Sequence, residues 1–437
     1  MIEPVIGLYA VYEPPEEGWQ NWEQQILQIE ALLNEAGARV ITAPEAVYDD
    51  ASCARVMDWF RQQPIDVFHV LVVCWSFDHY TLRIQQAVQK PVIVRSIPGI
   101  RTGSIVGGQQ LNCVLTDLEV EHSYFYGELD NDEAIHQTVV YATACAMRSR
   151  LQGARIGVIG RRTEGMTPTA VDEVEILRLF GVQLVHFGFD EFLEMAAGVT
   201  DQAAEQVWRG IHARAAQVTS KPRDGLASTK NYLAARKLVE ERGFQALTIG
   251  SYPRCQGTMC LPIALLNDEG IPTGCEGDIN STLSMLLLSY LSDAPIHFGE
   301  MLALNRADNT IVTSHCGAGA PSLADSEGFT LCPVRLANSG VCIRYPARPG
   351  PVTYVNLVGR KGNYRLCAFE GQAVPTGMVF EGNPLKFHLE TPINTIIQRT
   401  ADYGFGHHWM TAYGHFNEVL LTFCKLTGIT GLFPDLE

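Results

Sequence analysis

Two carboxylates flank a glycine in Cys275-Glu276-Gly277-Asp278, between a short β-rich run, Ile271–Cys275, and a helical segment, Ser281–Leu291. Carboxylates held this close repel, so one pKa rises or a cation is recruited. On a strand, residues two apart face the same way, so the spacing predicts that Glu276 and Asp278 converge on one point. Asp278 also stands where an aspartate caps the following helix, a role worth roughly 1 kcal/mol. Far along the chain, Tyr403-Gly404-Phe405-Gly406-His407-His408 and Tyr413-Gly414-His415 put three histidines into nine residues among aromatics and glycines. Imidazole is a common ligand of divalent transition metals, and such neighbours suit a close-walled pocket. A third candidate is the polar, glycine-rich turn Thr313-Ser314-His315-Cys316-Gly317-Ala318-Gly319. Neighbouring residues on a strand point to opposite faces, so a His315–Cys316 nucleophile pair is not expected without a turn.

The elements that must carry these residues follow from periodicity. At 437 residues the chain exceeds one hydrophobic core, and 46% hydrophobic against 18% charged residues gives enough apolar surface to fold most of it. Residues 1–150 alternate strands and helices: strands Val5–Val11, Ala38–Thr42, Val67–Trp75 and Val92–Ser96, helices Trp22–Ala36, Ala51–Arg61 and Thr81–Val88. This order predicts a doubly wound parallel sheet, with ligands at the carboxyl ends of strands, so Cys74–Asp78 forms a candidate site edge.

A second α/β domain spans 151–295, with helices over Val171–Phe180, Ala203–Val218 and Lys230–Arg242 and strands over Val182–Phe187 and Ala246–Gly250. It opens on Gly153-Ala154-Arg155-Ile156-Gly157-Val158-Ile159-Gly160, whose glycine spacing does not match G-x-G-x-x-G. Arg161-Arg162 follows where a pyrophosphate-cradling helix would start, which argues against a dinucleotide. Residues 296–437 read as a β-rich, barrel-like domain: Val352–Val358 and Tyr364–Phe369 form a hairpin, Leu385–Leu389 a further strand, and Asn417–Leu426 a closing helix. The overall fold class expected is α/β, two parallel-sheet domains followed by a mostly β C-terminal domain.

The formal charge, 32 − 48 = −16, disfavours nucleic acid and anionic membranes as partners. No apolar run approaches the roughly 20 residues a membrane span needs, and the N-terminus does not read as a secretory signal, so a cytoplasmic location is expected. The twelve cysteines include no C-x-x-C pair and read as small buried hydrophobes.

Taken together these stretches resemble the L-fucose isomerase-like ketol isomerases, whose superfamily includes L-arabinose isomerase. The Gly404–Ile429 segment is similar to the family's C-terminal stretch, in which a metal-binding histidine precedes a Tyr-Gly-His triplet; His408 then matches the ligand and Tyr413-Gly414-His415 the triplet. The Glu276–Asp278 stretch resembles the family's Glu-x-Asp turn, which implies that Asp278 is metal ligand and acid/base. Weaker likenesses lie at Val73-Cys74-Trp75, Tyr126-Gly127, Gly165-Met166 and His315. The resemblance implies two α/β domains, a barrel-like C-terminal domain, a homo-oligomer and a divalent cation, Mn²⁺ by expectation, held by Asp278 and His408; Glu276 is added as a third ligand on its own chemistry and closeness. The resemblance further implies a small-molecule sugar substrate contacted by Trp75, His315, Tyr413 and His415.

One departure stands out. The family's L-fucose enzymes carry a second metal-binding, catalytic glutamate in the helix before the turn, and the matching region here is Leu261-Pro262-Ile263-Ala264-Leu265-Leu266. Glu276 has the right chemistry and closeness to substitute. The expected activity is metal-dependent aldose–ketose isomerisation of a pentose, deoxyhexose or modified hexose through an enediolate. An epimerase or lyase using the same enediolate, and a non-catalytic sugar-binding protein, are the alternatives.

Overall fold

A computed structural model describes residues 1–253 and 256–436; Cys255 lies outside them. The chain divides into two compact units, Ile2–Arg150 and Leu151–Glu437, the second including Met1.

The first unit alternates β1 (Val5–Val11), α1 (Trp22–Glu35), β2 (Arg39–Thr42), α2 (Asp50–Phe60), β3 (Val67–Val72), α3 (Asp78–Val88), β4 (Val92–Ser96), α4 (Ser104–Asp117), β5 (His122–Tyr126) and α5 (Asp132–Leu151). Its five strands are parallel, in the order β2-β1-β3-β4-β5. Every residue of β1, β3 and β4 is buried, as expected where helices cover both faces of a parallel sheet. The strand predicted over Val67–Trp75 stops at Val72, and the next helix starts at Asp78 rather than Thr81. Local chemistry sets such boundaries: at α2 the Asp49 carboxylate accepts from the Ser52 amide at 2.7 Å and closes a capping box.

The second unit begins with β6 (Arg155–Gly160), α6 (Glu173–Phe180), β7 (Gln183–Phe187), α7 (Phe189–Ala197), α8 (Asp201–Arg214), β8 (Gln217–Val218), α9 (Pro222–Arg242), β9 (Ala246–Gly250), α10 (Gln256–Asp268), β10 (Thr273–Cys275) and α11 (Ile279–Ser289). Strands β10-β9-β6-β7 make a second parallel sheet. The helix expected over Ala203–Val218 ends at Arg214. Gln217 and Val218 instead pair in parallel with Thr330 and Leu331, an interaction with a stretch over a hundred residues away that local periodicity does not report.

The remainder holds β11 (His297–Asn305), β12 (Thr310–Ser314), β13 (Thr330–Val334), β14 (Ser339–Arg344), β15 (Gly350–Val358), β16 (Arg365–Val374), β17 (Leu385–Leu389), α12 (Ile393–Tyr403), β18 (His408–Tyr413), α13 (Asn417–Thr427) and β19 (Thr430–Leu432). Strands β15-β18-β11-β12-β17-β16 close into an antiparallel barrel through the β15–β16 pairing, and β19 extends it beside β16. Closure leaves these six strands no free edge.

Between barrel and parallel sheet lies α11, packed against β9 and β10 on one side and β15 and β18 on the other. Ile279 through Leu288 are all buried. The Met285-Leu286-Leu287-Leu288 run makes the second half of α11 apolar on every side, which is stable only when enclosed. Enclosure fixes its N-terminus, so the residues just before α11 meet the residues that begin β18.

Candidate active site

Glu276 and Gly277 both have positive φ, 63° and 70°, and the Asp278 amide donates to the Cys275 carbonyl at 3.2 Å. The segment read as a regular strand end is therefore a tight turn of the type I′ kind. The second central position is glycine, but the first is a glutamate in a conformation that non-glycine residues seldom adopt, and strain of that sort gathers at functional sites. The turn brings Glu276 and Asp278 to one side by reversing the chain rather than by strand alternation.

Asp278 is the N-cap of α11. Its Oδ1 accepts from the Ser281 amide at 3.1 Å, while Oδ2 accepts from the Ser281 hydroxyl at 2.7 Å and from His408 Nδ1 at 2.8 Å. The cap bond and the bond to His408 thus coexist on one carboxylate. On the other edge of the imidazole, His408 Nε2 stands 3.2 Å from Glu276 Oε2. Both atoms are buried, and neither has a hydrogen-bond partner of acceptable geometry, so this is a close approach and not a formed bond.

His408 opens β18, where its carbonyl accepts from Asn356 Nδ2 at 2.7 Å and its ring packs 4.7 Å from Phe298 and 5.8 Å from His315. Burial opposes its charge, but the carboxylates of Asp278 and Glu276 outweigh burial and raise its pKa to about 9. Burial likewise opposes ionisation of the two carboxyls. Contact with His408 prevails, aided by His315 at Glu276 and by Ser281 at Asp278, and both lie below their ordinary values.

Donor atoms of Glu276, His407 and His408 lie within 4.8 Å of one another, a grouping that fits one cation. Glu276 Oε2 and His408 Nε2 are buried and without hydrogen-bond partners, whereas the oxygens of Asp278 are engaged by Ser281 and His408 Nδ1. Carboxylate hydrogen-bonded to one imidazole nitrogen leaves the other nitrogen correctly oriented for a metal. His407, quoted in the histidine cluster but given no role there, is the member that sequence reasoning missed; its signal was its position immediately before a strand. A narrow cleft here is lined by Thr169, Asp278, Asn280, Ser281, His407 and His408. A wider cleft elsewhere in this unit, walled by Asp268, Glu269, Tyr290 and Asp293, brings no imidazole into its lining.

The remaining candidates separate. His315 is buried beside the group, its ring 4.8 Å from Phe298. The chain leaves β12 at Ser314 and bends, so Cys316 Sγ reaches His315 Nδ1 at 3.3 Å, the contact that strand geometry had argued against. Cys275, His315 and Cys316 also present donors within 4.8 Å of one another. Tyr413 instead donates from its hydroxyl to the Arg348 carbonyl at 2.7 Å, and His415 Nδ1 lies 3.1 Å from Glu370; these bonds do not involve the Glu276–Asp278–His408 group. Trp75 belongs to the first unit, where its Nε1 donates to Gln110 at 3.2 Å. The helix stretch Leu261–Leu266 is buried, apolar and without a carboxylate, as its sequence implied.

No protein-family model matches the chain. Among curated proteins it is similar to a sulfoquinovose isomerase of Priestia aryabhattai, 24% identical over 89% of this chain and 90% of the relative. One from Alkalicoccus urumqiensis is 28% identical over 80% and 77% respectively. An L-arabinose isomerase of a Nocardioides species is more distant, 23% identical over 76% of this chain and 70% of the relative. The parallel sheets, the closed barrel and these likenesses support the resemblance of the chain to the L-fucose/L-arabinose isomerase superfamily. It is an enzyme of the isomerase class.

Proposed function

We propose that the protein is a metal-dependent aldose–ketose isomerase acting on a sulfonated aldose. The observation that carries the reading is a buried imidazole, His408, bonded on one edge to Asp278 and closely approached on the other by Glu276, both from a turn about 130 residues earlier. The substrate class comes from relatives named as sulfoquinovose isomerases that align over most of the chain.

Moving a carbonyl between C1 and C2 requires a base for a weakly acidic carbon-bound proton and stabilisation of the resulting oxyanion. Glu276, His407 and His408 would hold a divalent cation, which when bound steadies negative charge on neighbouring sugar oxygens as a Lewis acid. Asp278 acts as a positioning residue: it keeps the proton on His408 Nδ1 and turns Nε2 inward. Glu276 carries the proton, since its buried Oε2 has no hydrogen-bond partner and the carboxyl, held below its ordinary value, is ionised near neutrality. His315 and Phe298 wall the imidazole and limit water around it.

The test is conversion of a sulfonated aldose to its ketose, followed with and without chelation. Activity should vanish with the chelator, return with Mn²⁺ or Co²⁺, and in heavy water leave deuterium on the carbon beside the carbonyl. Full turnover by chelated protein would sink metal dependence. Shorter products would assign a lyase, and inversion at C2 without a ketose an epimerase.

A further inference from the structure

The pair Arg161-Arg162 has no role in the account so far, yet it lies against the Glu276–Asp278 turn. The loop it opens leaves β6 and is fastened to that turn by the Thr163 amide, which donates to the Glu276 carbonyl at 3.1 Å. A Cβ on Gly277 would fall 2.7 Å from Arg162 Cα and amide nitrogen, and one on Gly250 would fall 1.8 Å from the Arg161 carbonyl. Glycine at both positions is therefore what lets the two-arginine backbone lie close against the end of β9 and the turn that follows β10.

Both arginine side chains are exposed, and neither forms an ion pair among the described residues. The one bond from the Arg162 guanidinium is a long one, 3.5 Å to the Thr163 carbonyl. Some exposed arginines of this acidic chain pair with carboxylates, as Arg55 does with Glu45, Arg83 with Asp50 and Arg209 with Glu205; others, such as Arg178 and Arg335, do not among the described residues, but Arg161 and Arg162 are the adjacent pair that lies against the Glu276–Asp278 turn. Two arginines consecutive in sequence, their backbone against the carboxylate turn, offer two positive charges that no carboxylate among the described residues pairs. Hydroxyl groups of a neutral sugar do not need that charge, whereas a tetrahedral oxyanion accepts paired N–H donors in fork geometry.

We infer that Arg161 and Arg162 form the subsite for the terminal oxyanion of the substrate, its sulfonate, with C1 and C2 turned toward Glu276 and His408. The ligand named here rests on the isomerase reading above. The arrangement divides labour: the arginines hold the end that does not react, and the carboxylate–histidine group acts on the end that does. Binding of that kind is equal in ground and transition states, so its loss raises KM and spares kcat.

The experiment compares wild type with the Arg161→Ala/Arg162→Ala double variant on a sulfonated aldose, the corresponding 6-phosphate and the neutral aldose. Removing charge-assisted bonds to an exposed anion should raise KM for the sulfonated sugar roughly 30-fold at low salt, with kcat within about threefold and the neutral sugar unaffected. The double Lys variant should recover part of the loss. The 6-phosphate tells whether the pair reads sulfonate alone or terminal oxyanions of both kinds. Calorimetric binding of a sulfonated sugar alcohol, which has no carbonyl to isomerise, separates this inference from the activity. Arginine-dependent binding without turnover of any aldose would leave the subsite standing and remove the isomerase reading. Turnover with identical kinetics for all three sugars in wild type and variant would remove the subsite and leave the isomerase reading.

Discussion

Asp278 and Glu276 are alike in type and two positions apart, yet the structure gives them different work, and substitution should separate them. Asp278→Asn keeps a good helix N-cap, so its melting temperature should stay within a few degrees of wild type. Losing the charge behind His408 should cost about 10–100-fold in metal affinity and activity. Glu276→Gln removes the unbonded carboxylate itself and should cost about 10²–10⁴-fold in kcat. Steady-state kinetics with a thermal melt on each variant reads both effects; equal losses of stability and activity in Asp278→Asn would reduce that residue to a cap. These residues were legible in the sequence because a Glu-Gly-Asp run and a histidine cluster are unusual local compositions. That Asp278 faces Nδ1 and Glu276 faces Nε2 was not, since orientation about a ring depends on a turn and a strand 130 residues apart. The His315–Cys316 contact escaped for a similar reason: the chain bends one residue earlier than strand alternation assumes.

At the scale of elements, the turn before α11 joins a glutamate at positive φ to a glycine pressed against a neighbouring loop. Gly277→Ala would place a methyl 2.7 Å from the Arg162 backbone at a φ of 70°. It should destabilise the protein by about 1–3 kcal/mol and displace the Arg161–Thr163 loop, with kcat falling alongside. Denaturant melts and ketose formation measure this; an unchanged variant would show that the loop does not depend on close approach at Gly277. The strands β1, β4, β9 and β17 were readable to the residue because continuous or alternating apolar runs ended at clear breaks. Helices α1, α2, α3, α6 and α13 were readable to within a few residues, whereas α4, α5, α7 and α12 were not anticipated and α9 begins eight residues before the stretch expected from Lys230. The β13–β14 hairpin and the short β8 were not anticipated, since their pairing partners are set by tertiary contact. The β15–β16 hairpin was visible from its turn residues, but its role in closing a barrel is a property of six strands together.

For the whole molecule, buried histidines set the acid limit. His297 is fully enclosed, donates from Nε2 to the Asn383 carbonyl at 2.7 Å, and burial depresses its pKa to about 4. Its unfolded value is near 6.5, so the unfolded chain binds the proton first. The stability it contributes is complete above about pH 6.5 and is lost as pH falls toward 4, an effect of about 3 kcal/mol. His69 in the first unit is held down by burial and then by Arg95, to about 3, and acts in the same direction on that unit. Urea melts from pH 7 to pH 4 should show the decline, and a His297→Gln variant should flatten it; a pH-independent midpoint would contradict the assignment. The architecture itself, parallel sheets followed by a β-rich domain, was legible from the order of elements. The meeting of α11 with β18 was not, because enclosure of that helix involves residues from both sheets.

Calorimetric titration of Mn²⁺ into wild type, Glu276→Gln and Asp278→Asn, each followed by assay with a sulfonated aldose, tests most directly whether two distant stretches build one catalytic centre. The account predicts one site per chain in wild type, weakened about 10–100-fold in Asp278→Asn and lost in Glu276→Gln, with ketose formation following occupancy. Equal Mn²⁺ binding by all three proteins, or ketose formation that ignores it, would contradict the account.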